Sequence, residues 1–380
     1  MDCFVEVSNP KSAIQNWDPP TQKPQGVHKR PLGDLNIGLG DYPTGALNAI
    51  TDVAGVHVGH VTVRDGDVNT GVTVVVPYAE EAENALYFWG KYLVNSQGEM
   101  TGIQVLEDFG LLASPIFMVN LMSVGRIYNG ALTYAFTRGK GLPTSGGWPP
   151  LVMGFDDRAL NDLRRRVLTE AHALEALEKA RSGPVEQGSV GAGTGATAFG
   201  FKGGIGTASR RVDLGEAAYH VGVLTLAHQG RRDDLVIDGI SVGQALPAPS
   251  PLDNDYPAVL SVVATDAPLT SRHLNLLAQR AALGWTKTGS LTNPDDSGMA
   301  MAFSTGIAVR SPDEAGAYRL AVLPDAQVSA LYTAAGEAAT ESVLNALFKA
   351  TTLTGRAGRT AEALPLDAVR SVIEQRRNDG

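Results

Sequence analysis

The chain has 380 residues, 43% hydrophobic and 19% charged, with a formal net charge of −9. That composition suits a globular protein with a large core, and the acidic balance excludes a nucleic-acid footprint. Cys3 is the only cysteine, which excludes intramolecular disulfides and argues against a cysteine-based metal cluster. No metal and no cofactor are expected.

Residues 1–32 are polar and hold Pro19, Pro20, Pro24 and Pro31, which reads as an extended arm ahead of a single domain over 33–380. The first residues lack the basic flank and apolar stretch of a signal peptide, and no run of 18 apolar residues follows. A cytoplasmic protein without a membrane span is expected. Short strands are predicted over 49–53, 56–62 and 71–76, and buried strands over 115–119 and 151–153. Leu160, Leu163, Val167, Ala171 and Leu174 recur at helical spacing and predict a helix over 157–182, stopped at Ser182-Gly183-Pro184. A strand over 219–226 precedes a proline-rich loop over 245–257. Then Tyr256 to Leu269 reads as a buried strand followed by a helix start, and Ser271 as the cap of a helix through Leu283. Strands over 299–308 and 319–323 precede amphipathic helices over 326–349 and 360–377, the second kinked at Pro365. This alternation predicts an α/β fold, with sheet on sheet and helices outside.

Gly188 to Gly195 contains Gly191-Ala192-Gly193, a fragment of a dinucleotide fingerprint. The third glycine is replaced by Ala196, and the preceding pattern is helix and turn rather than strand. A close-packing role is therefore favoured over cofactor binding.

Several runs together resemble the P1 peptidase family, the self-processing amidases and aminopeptidases of the DmpA and β-aminopeptidase type. They are Asn48-Ala49-Ile50-Thr51-Asp52-Val53 with Gly55 to His60, Gly71-Val72-Thr73, Gly98 to Gly102, Ser123-Val124-Gly125, Gly188 to Gly195 with Phe201 to Thr207, Ala264-Thr265-Asp266 and Ala302-Phe303-Ser304-Thr305. The resemblance spans residues 34 to 310. It implies a four-layer αββα sandwich, a homo-oligomer, and a precursor cut before a Ser or Thr whose freed amine serves as base.

In that resemblance the nucleophile falls six residues before the Ala of Ala264-Thr265-Asp266, which is Ala258, preceded by Pro257. Ala258 has no hydroxyl, so no self-cleavage is expected there. Ser261 faces the other side of the strand. His228, in Ala227-His228-Gln229-Gly230, takes the place of the family's oxyanion-binding Asn. The family's Ser-Gly-acid motif falls on Asp296-Ser297-Gly298 counted without gaps, or on Ser297-Gly298-Met299 with the Ser-Gly pair aligned; either way its acid is missing, with Asp295 and Asp296 nearby. Gly154 falls where an acid would pair with a substrate ammonium, which argues against an aminopeptidase. Asn120, between Val119 and Leu121, matches a pocket Asn. His57 and His60 face opposite sides of a strand and form no metal pair.

The expectation drawn from these positions is a repurposed enzyme of a biosynthetic pathway. His228 with Asp295, Asp296 or Asp156 would carry out non-covalent acid–base chemistry (isomerisation, cyclisation or elimination) on a small, fairly apolar molecule. Asn120, Ala258, Ser297, Phe155 and Met299 would bind it. The alternatives are an amide or ester hydrolase or aminopeptidase whose hydroxyl is Ser261, Ser297 or Thr265, and a non-catalytic binding protein.

Overall fold

The computed structural model describes residues 37–77, 85–95, 98–138, 149–247, 256–291, 294–309 and 319–378. The arm expected over 1–32 and most of the proline-rich loop lie outside them. The first half supplies β1 (His57–Asp65), β2 (Val68–Val76), β3 (Leu86–Leu93), β4 (Glu99–Met100), α1 (Ile103–Phe109), β5 (Leu111–Leu112), β6 (Ile116–Asn120), α2 (Val124–Arg138), β7 (Leu151–Phe155) and α3 (Glu170–Lys179). The second half supplies the short β8 (Thr197–Ala198) and β9 (Phe201–Lys202), then the long β10 (Gly204–Leu214) and β11 (Ala217–His228). After the short β12 (Val236–Ile237) and β13 (Ile240–Ser241) come β14 (Ala258–Thr265), α4 (Ser271–Thr286), β15 (Ser297–Val309), α5 (Asp325–Phe348) and α6 (Leu366–Asn378).

Two main sheets form. The first has the order β1-β2-β6-β7-β4 and the second β10-β11-β14-β15-β3-β5. β2 is buried along its whole length, as a strand covered on both faces must be. Its alternation sorts the layers: Val72, Val74 and Val76 face α2 and α3, with Ile127 and Ala173. Val75 faces the second sheet, against Leu224, Leu260, Val262 and Met301. The far side of the second sheet, with Val223, Val259 and Val263, packs on Leu274 and Trp285 of α4 and Val343 of α5. Three apolar seams thus separate four layers, α, β, β and α, as expected.

α5 is buried almost all round from Ala334 to Leu347. It approaches so closely that a Cβ on Gly206 of β10 would lie 1.9 Å from the Ser342 carbonyl. Two acids on this buried helix need a cation. Arg210 of β10, 1% exposed, supplies it through Glu337 at 3.1 Å and Glu341 at 2.7 Å.

Some elements differ from the expectation. Residues 49–53 form a single 3₁₀ turn, Ile50–Asp52, because Asp52 accepts from the Leu47 and Ala49 amides. The helix expected over 157–182 shrinks to α3. Asp157 is buried and committed to Thr70 and Asn161, and Arg166 adopts a left-handed backbone (φ 45°) that no helix tolerates. Residues 319–323 form no strand, and Leu320 and Val322 are exposed. Pro365 does not kink a helix; it immediately precedes α6.

Candidate active site

The sheet register brings the site together. His228 ends β11 and lies opposite Ala258, the first residue of the antiparallel β14. Ala258 in turn lies beside Ser297, the first residue of the parallel β15. These three residues form a row across one end of the second sheet. Ala258, Leu260 and Met299 face the first sheet, and strand alternation puts His228 and Ser297 on that same face. Across the seam, β6 and β7 run parallel and end together at Asn120 and Phe155. The Phe155 ring meets His228 edge-on, with centroids 5.4 Å apart and planes at 64°.

His228 is held in one protonation state. Its Nδ1 accepts the Thr197 amide N–H at 3.0 Å, so the ring proton sits on Nε2. Burial lowers its pKa to about 4, the carboxylate of Asp156 opposing and the Lys202 ammonium assisting. With Nδ1 occupied and Nε2 protonated, a neutral His228 is a hydrogen-bond donor with no spare lone pair for a proton. It can steady a developing oxyanion; it is poorly placed as a general base.

The glycine-rich run supports this arrangement. Gly191, at φ 52°, lies against the second strand; a Cβ there would come within 2.4 Å of the Thr73 hydroxyl. The run packs between the sheets, as the close-packing reading expected. Lys202, fully buried, donates from Nζ to the carbonyls of Gly193 (3.0 Å), Ala196 (2.7 Å) and Gly203 (2.8 Å). Burial pushes its pKa well below the usual lysine value. Lys202 thereby clamps the turn that presents Thr197 to His228. Sequence reasoning placed Lys202 in a family run but gave it no role; a lysine between an aromatic residue and two glycines was the available signal.

Asn120 donates from Nδ2 to the Thr70 hydroxyl (2.9 Å), which donates to Asp157 Oδ2 (2.7 Å). Asn161 donates to Asp157 Oδ1 at 2.8 Å. Burial raises the Asp157 pKa to about 7, against the lowering effect of both hydrogen bonds. Asn120 Oδ1 is buried with no hydrogen-bond partner among the described residues.

The expected aspartates part company. Asp156 is near enough to influence His228 electrostatically, and it pairs with Arg158, whose guanidinium lies 4.4 Å over the Tyr256 ring. Asp295 is exposed, whereas Asp296 is buried and its carbonyl accepts from Asn95 at 2.7 Å. Phe155 and Met299 are buried in the wall of the seam. Of the hydroxyls, Ser261 faces the helices and bonds Thr225 and Trp285. Thr265 lies at the opposite end of β14 and donates to the His220 carbonyl. Ser297 alone of the three stands in the row; its Oγ donates to the Asn95 carbonyl at 3.1 Å. Gly154 points away from the row: a Cβ there would meet Val124 at 2.8 Å and Leu121 at 3.2 Å.

Two facing sheets between helices, with polar groups converging at the strand ends, place the chain among α/β proteins built as four-layer sandwiches. The family model of peptidase family S58 matches residues 48–361, and the chain belongs to that family. It is 34% identical over 369 residues to the beta-peptidyl aminopeptidase BapA of Sphingosinicella xenopeptidilytica, covering 90% of each chain. The solved β-aminopeptidase of Burkholderia sp. superposes with a TM-score of 0.83 at 34% identity, over 90% of this chain and 98% of that one. The l-aminopeptidase d-Ala-esterase/amidase of Ochrobactrum anthropi, of the Ntn-hydrolase fold, superposes with a TM-score of 0.83 at 31% identity and the same coverage.

These relatives overturn the expectation of an isomerising, cyclising or eliminating enzyme. Aminopeptidases match nearly the whole chain at 34% identity, in favour of the hydrolase alternative. They equally remove the argument against an aminopeptidase from Gly154, and the direction of that residue explains why. A carboxylate built there would start toward α2, while Asp156 is the acid felt at His228.

Proposed function

We propose that this protein is an aminopeptidase-type hydrolase that cleaves an amide or ester bond of a small molecule bearing a free amine. The observation that carries the reading is the row His228–Ala258–Ser297 at the seam of a scaffold 34% identical to beta-peptidyl aminopeptidases. Asp156 receives the substrate ammonium, exchanging Arg158 for it. The Nε2–H of His228 donates to the carbonyl oxygen as it gains charge. Ala258 offers no hydroxyl, so the attacking oxygen in this reading is Ser297 Oγ, its side chain on the face of the sheet that Ala258 shares. Ser297 Oγ bonds to the carbonyl carbon, its proton goes to the departing amine or alcohol, and water then releases the acid and restores the hydroxyl.

Amino-acid amides and p-nitroanilides, including β-amino acids, are the substrates to assay. Turnover that Ser297→Ala removes, with an acylating probe adding its mass to Ser297, supports the reading. Turnover that survives Ser297→Ala removes that serine from the mechanism, and no hydrolysis of any amide or ester removes the function. Intact mass also checks the single domain over 33–380; two fragments meeting near Ala258 would divide it. A cytoplasmic homo-oligomer belongs to the same proposal. No helix among the described residues is long and apolar enough to cross a membrane. The 70% exposed Phe109 and 66% exposed Phe136 are the kind of residues that subunit contacts cover.

A further inference from the structure

The hydrogen-bond chain behind Asn120 has a direction, and a backbone amide sets it. The Asn69 N–H donates to Asn161 Oδ1 at 3.2 Å, so the other end of that side chain is its NH2 group, which donates to Asp157 Oδ1 at 2.8 Å. Asp157 Oδ1 therefore carries no proton, and any proton on the carboxyl sits on Oδ2, 2.7 Å from the Thr70 hydroxyl. That hydroxyl is 2.9 Å from the Asn120 amide. Thr70, Asn120, Asp157 and Asn161 are all buried.

Thr70 has one proton to give. When Asp157 is ionised, that proton goes to Oδ2, the hydroxyl accepts from Asn120 Nδ2, and Asn120 Oδ1 is left over. When Oδ2 is protonated, it donates to Thr70, the Thr70 proton turns to Asn120 Oδ1, and the NH2 group is left over instead. The charge of Asp157 thus decides whether Asn120 offers an acceptor or a donor.

That offer is made at the seam. Met118 faces the second sheet and Val119 the helices, so alternation puts Asn120 on the seam side. It is in register with Phe155, which packs on His228. Asn120 Oδ1 has no hydrogen-bond partner among the described residues, and a buried acceptor without a donor is costly. A substrate with a free amine brings that donor. Asp157 also changes charge in a useful range. Burial raises its pKa to about 7, the hydrogen bonds from Asn161 and Thr70 opposing and the Asp156 charge assisting. Among the described residues, the charged groups coupled to it are Asp156 on its own loop and Lys202 of β9.

We propose that Asp157 is a positioning residue for amine recognition: when ionised, it turns the Asn120 amide through Thr70 so that Oδ1 faces the seam and accepts one N–H of the substrate ammonium. This role rests on the hydrolase reading, in which Asp156 supplies the countercharge.

The test measures binding of β-alaninamide to the full chain by calorimetry at pH 6 and pH 8, in the Ser297→Ala background so that turnover does not intervene. The ionised fraction of a group with a pKa of about 7 rises about tenfold between these values, so the dissociation constant should be about tenfold lower at pH 8. In Asp157→Asn the new NH2 group donates to Thr70 and locks the reversed amide, so binding should be weak and equal at both pH values. Thr70→Val leaves Asp157 to titrate but cuts the link, and should abolish the pH dependence; Thr70→Ser keeps the hydroxyl and should retain it. Propionamide, which has no amine, should bind no tighter at pH 8. No binding, or pH-independent binding with Thr70 intact, would overturn the role. So would a pH dependence that persists in Thr70→Val, which would mean that the charge of Asp157 acts directly, or an Asp157→Asn chain that binds as tightly as its parent at pH 8. If Thr70→Val does not fold, Asp157→Asn decides alone. A chain that binds as expected but hydrolyses no amide would remove the hydrolase reading and leave the positioning role standing.

Discussion

Replacing His228 separates a donor from a proton carrier. Its pKa, lowered from 6.5 to about 4, leaves about one ring in a thousand charged at pH 7. If the neutral ring donates from Nε2, turnover should show no limb near pH 6.5 that depends on this residue. His228→Ala removes the donor and should cost on the order of 10²–10³ in kcat. His228→Asn restores an N–H without a titrating group and should recover at least about tenfold of that loss. Stability gives an independent reading. A histidine whose folded pKa is depressed contributes stability that is present above the unfolded value and lost as pH falls toward the folded value. For His228 the window is pH 6.5 down to about 4, and the contribution is about 3 kcal/mol. Urea unfolding across that window should show the wild type losing that much relative to His228→Asn; His60, with a similarly lowered pKa, is common to both and cancels. A wild-type limb near pH 6.5 that vanishes in an inactive His228→Asn, with parallel stability curves, would refute the donor role.

Asp157 should act in the opposite sense. Its folded pKa of about 7 lies above the unfolded 3.8, so its carboxyl favours the fold when protonated. Relative to Asp157→Asn, the wild type should lose about 4 kcal/mol between pH 4 and 7 in urea titrations; equal slopes would contradict the buried, protonated carboxyl. Lys202→Met keeps the volume but strands three carbonyls, and should cost about 3 kcal/mol of stability by thermal or urea unfolding. Activity should fall with it, because the turn that fixes His228 loosens.

The layered fold was legible because strands buried on both faces write themselves as apolar runs, as in Val74-Val75-Val76 and Ile116-Phe117-Met118. β3 and β10 were not predicted: Gly90, Lys91, Arg210 and Arg211 interrupt their apolar runs, and only distant partners make them strands. Gly90 lies under α4, where a Cβ would meet the Asn275 nitrogen at 2.2 Å. Arg210 is answered by two glutamates more than 120 residues away. The helix expected over 157–182 failed for a related reason, since no local pattern reveals that Asp157 is tied to Thr70. At the site, His228, Ala258, Ser297, Asn120 and Phe155 were all read from the chain, and the structure gathers them. The clamp of Lys202 and the tautomer set by Thr197 were not legible, because both depend on backbone atoms that a sequence does not display.

The pairing of β3 with β15 has a consequence for synthesis. Trp89 is in register with Phe303, so although β5 soon pairs with the start of β3, the edge that faces β15 must wait for 214 further residues before its neighbour exists. At about 5–20 residues per second the ribosome leaves that edge unpaired for roughly 10–40 s. During this interval Trp89, Tyr87 and the open hydrogen-bonding groups of β3 form a template for any other exposed strand. Nascent chains of this protein should therefore engage chaperones until residue 309 has emerged, and truncation before β15 should yield aggregates rather than a half-formed sandwich.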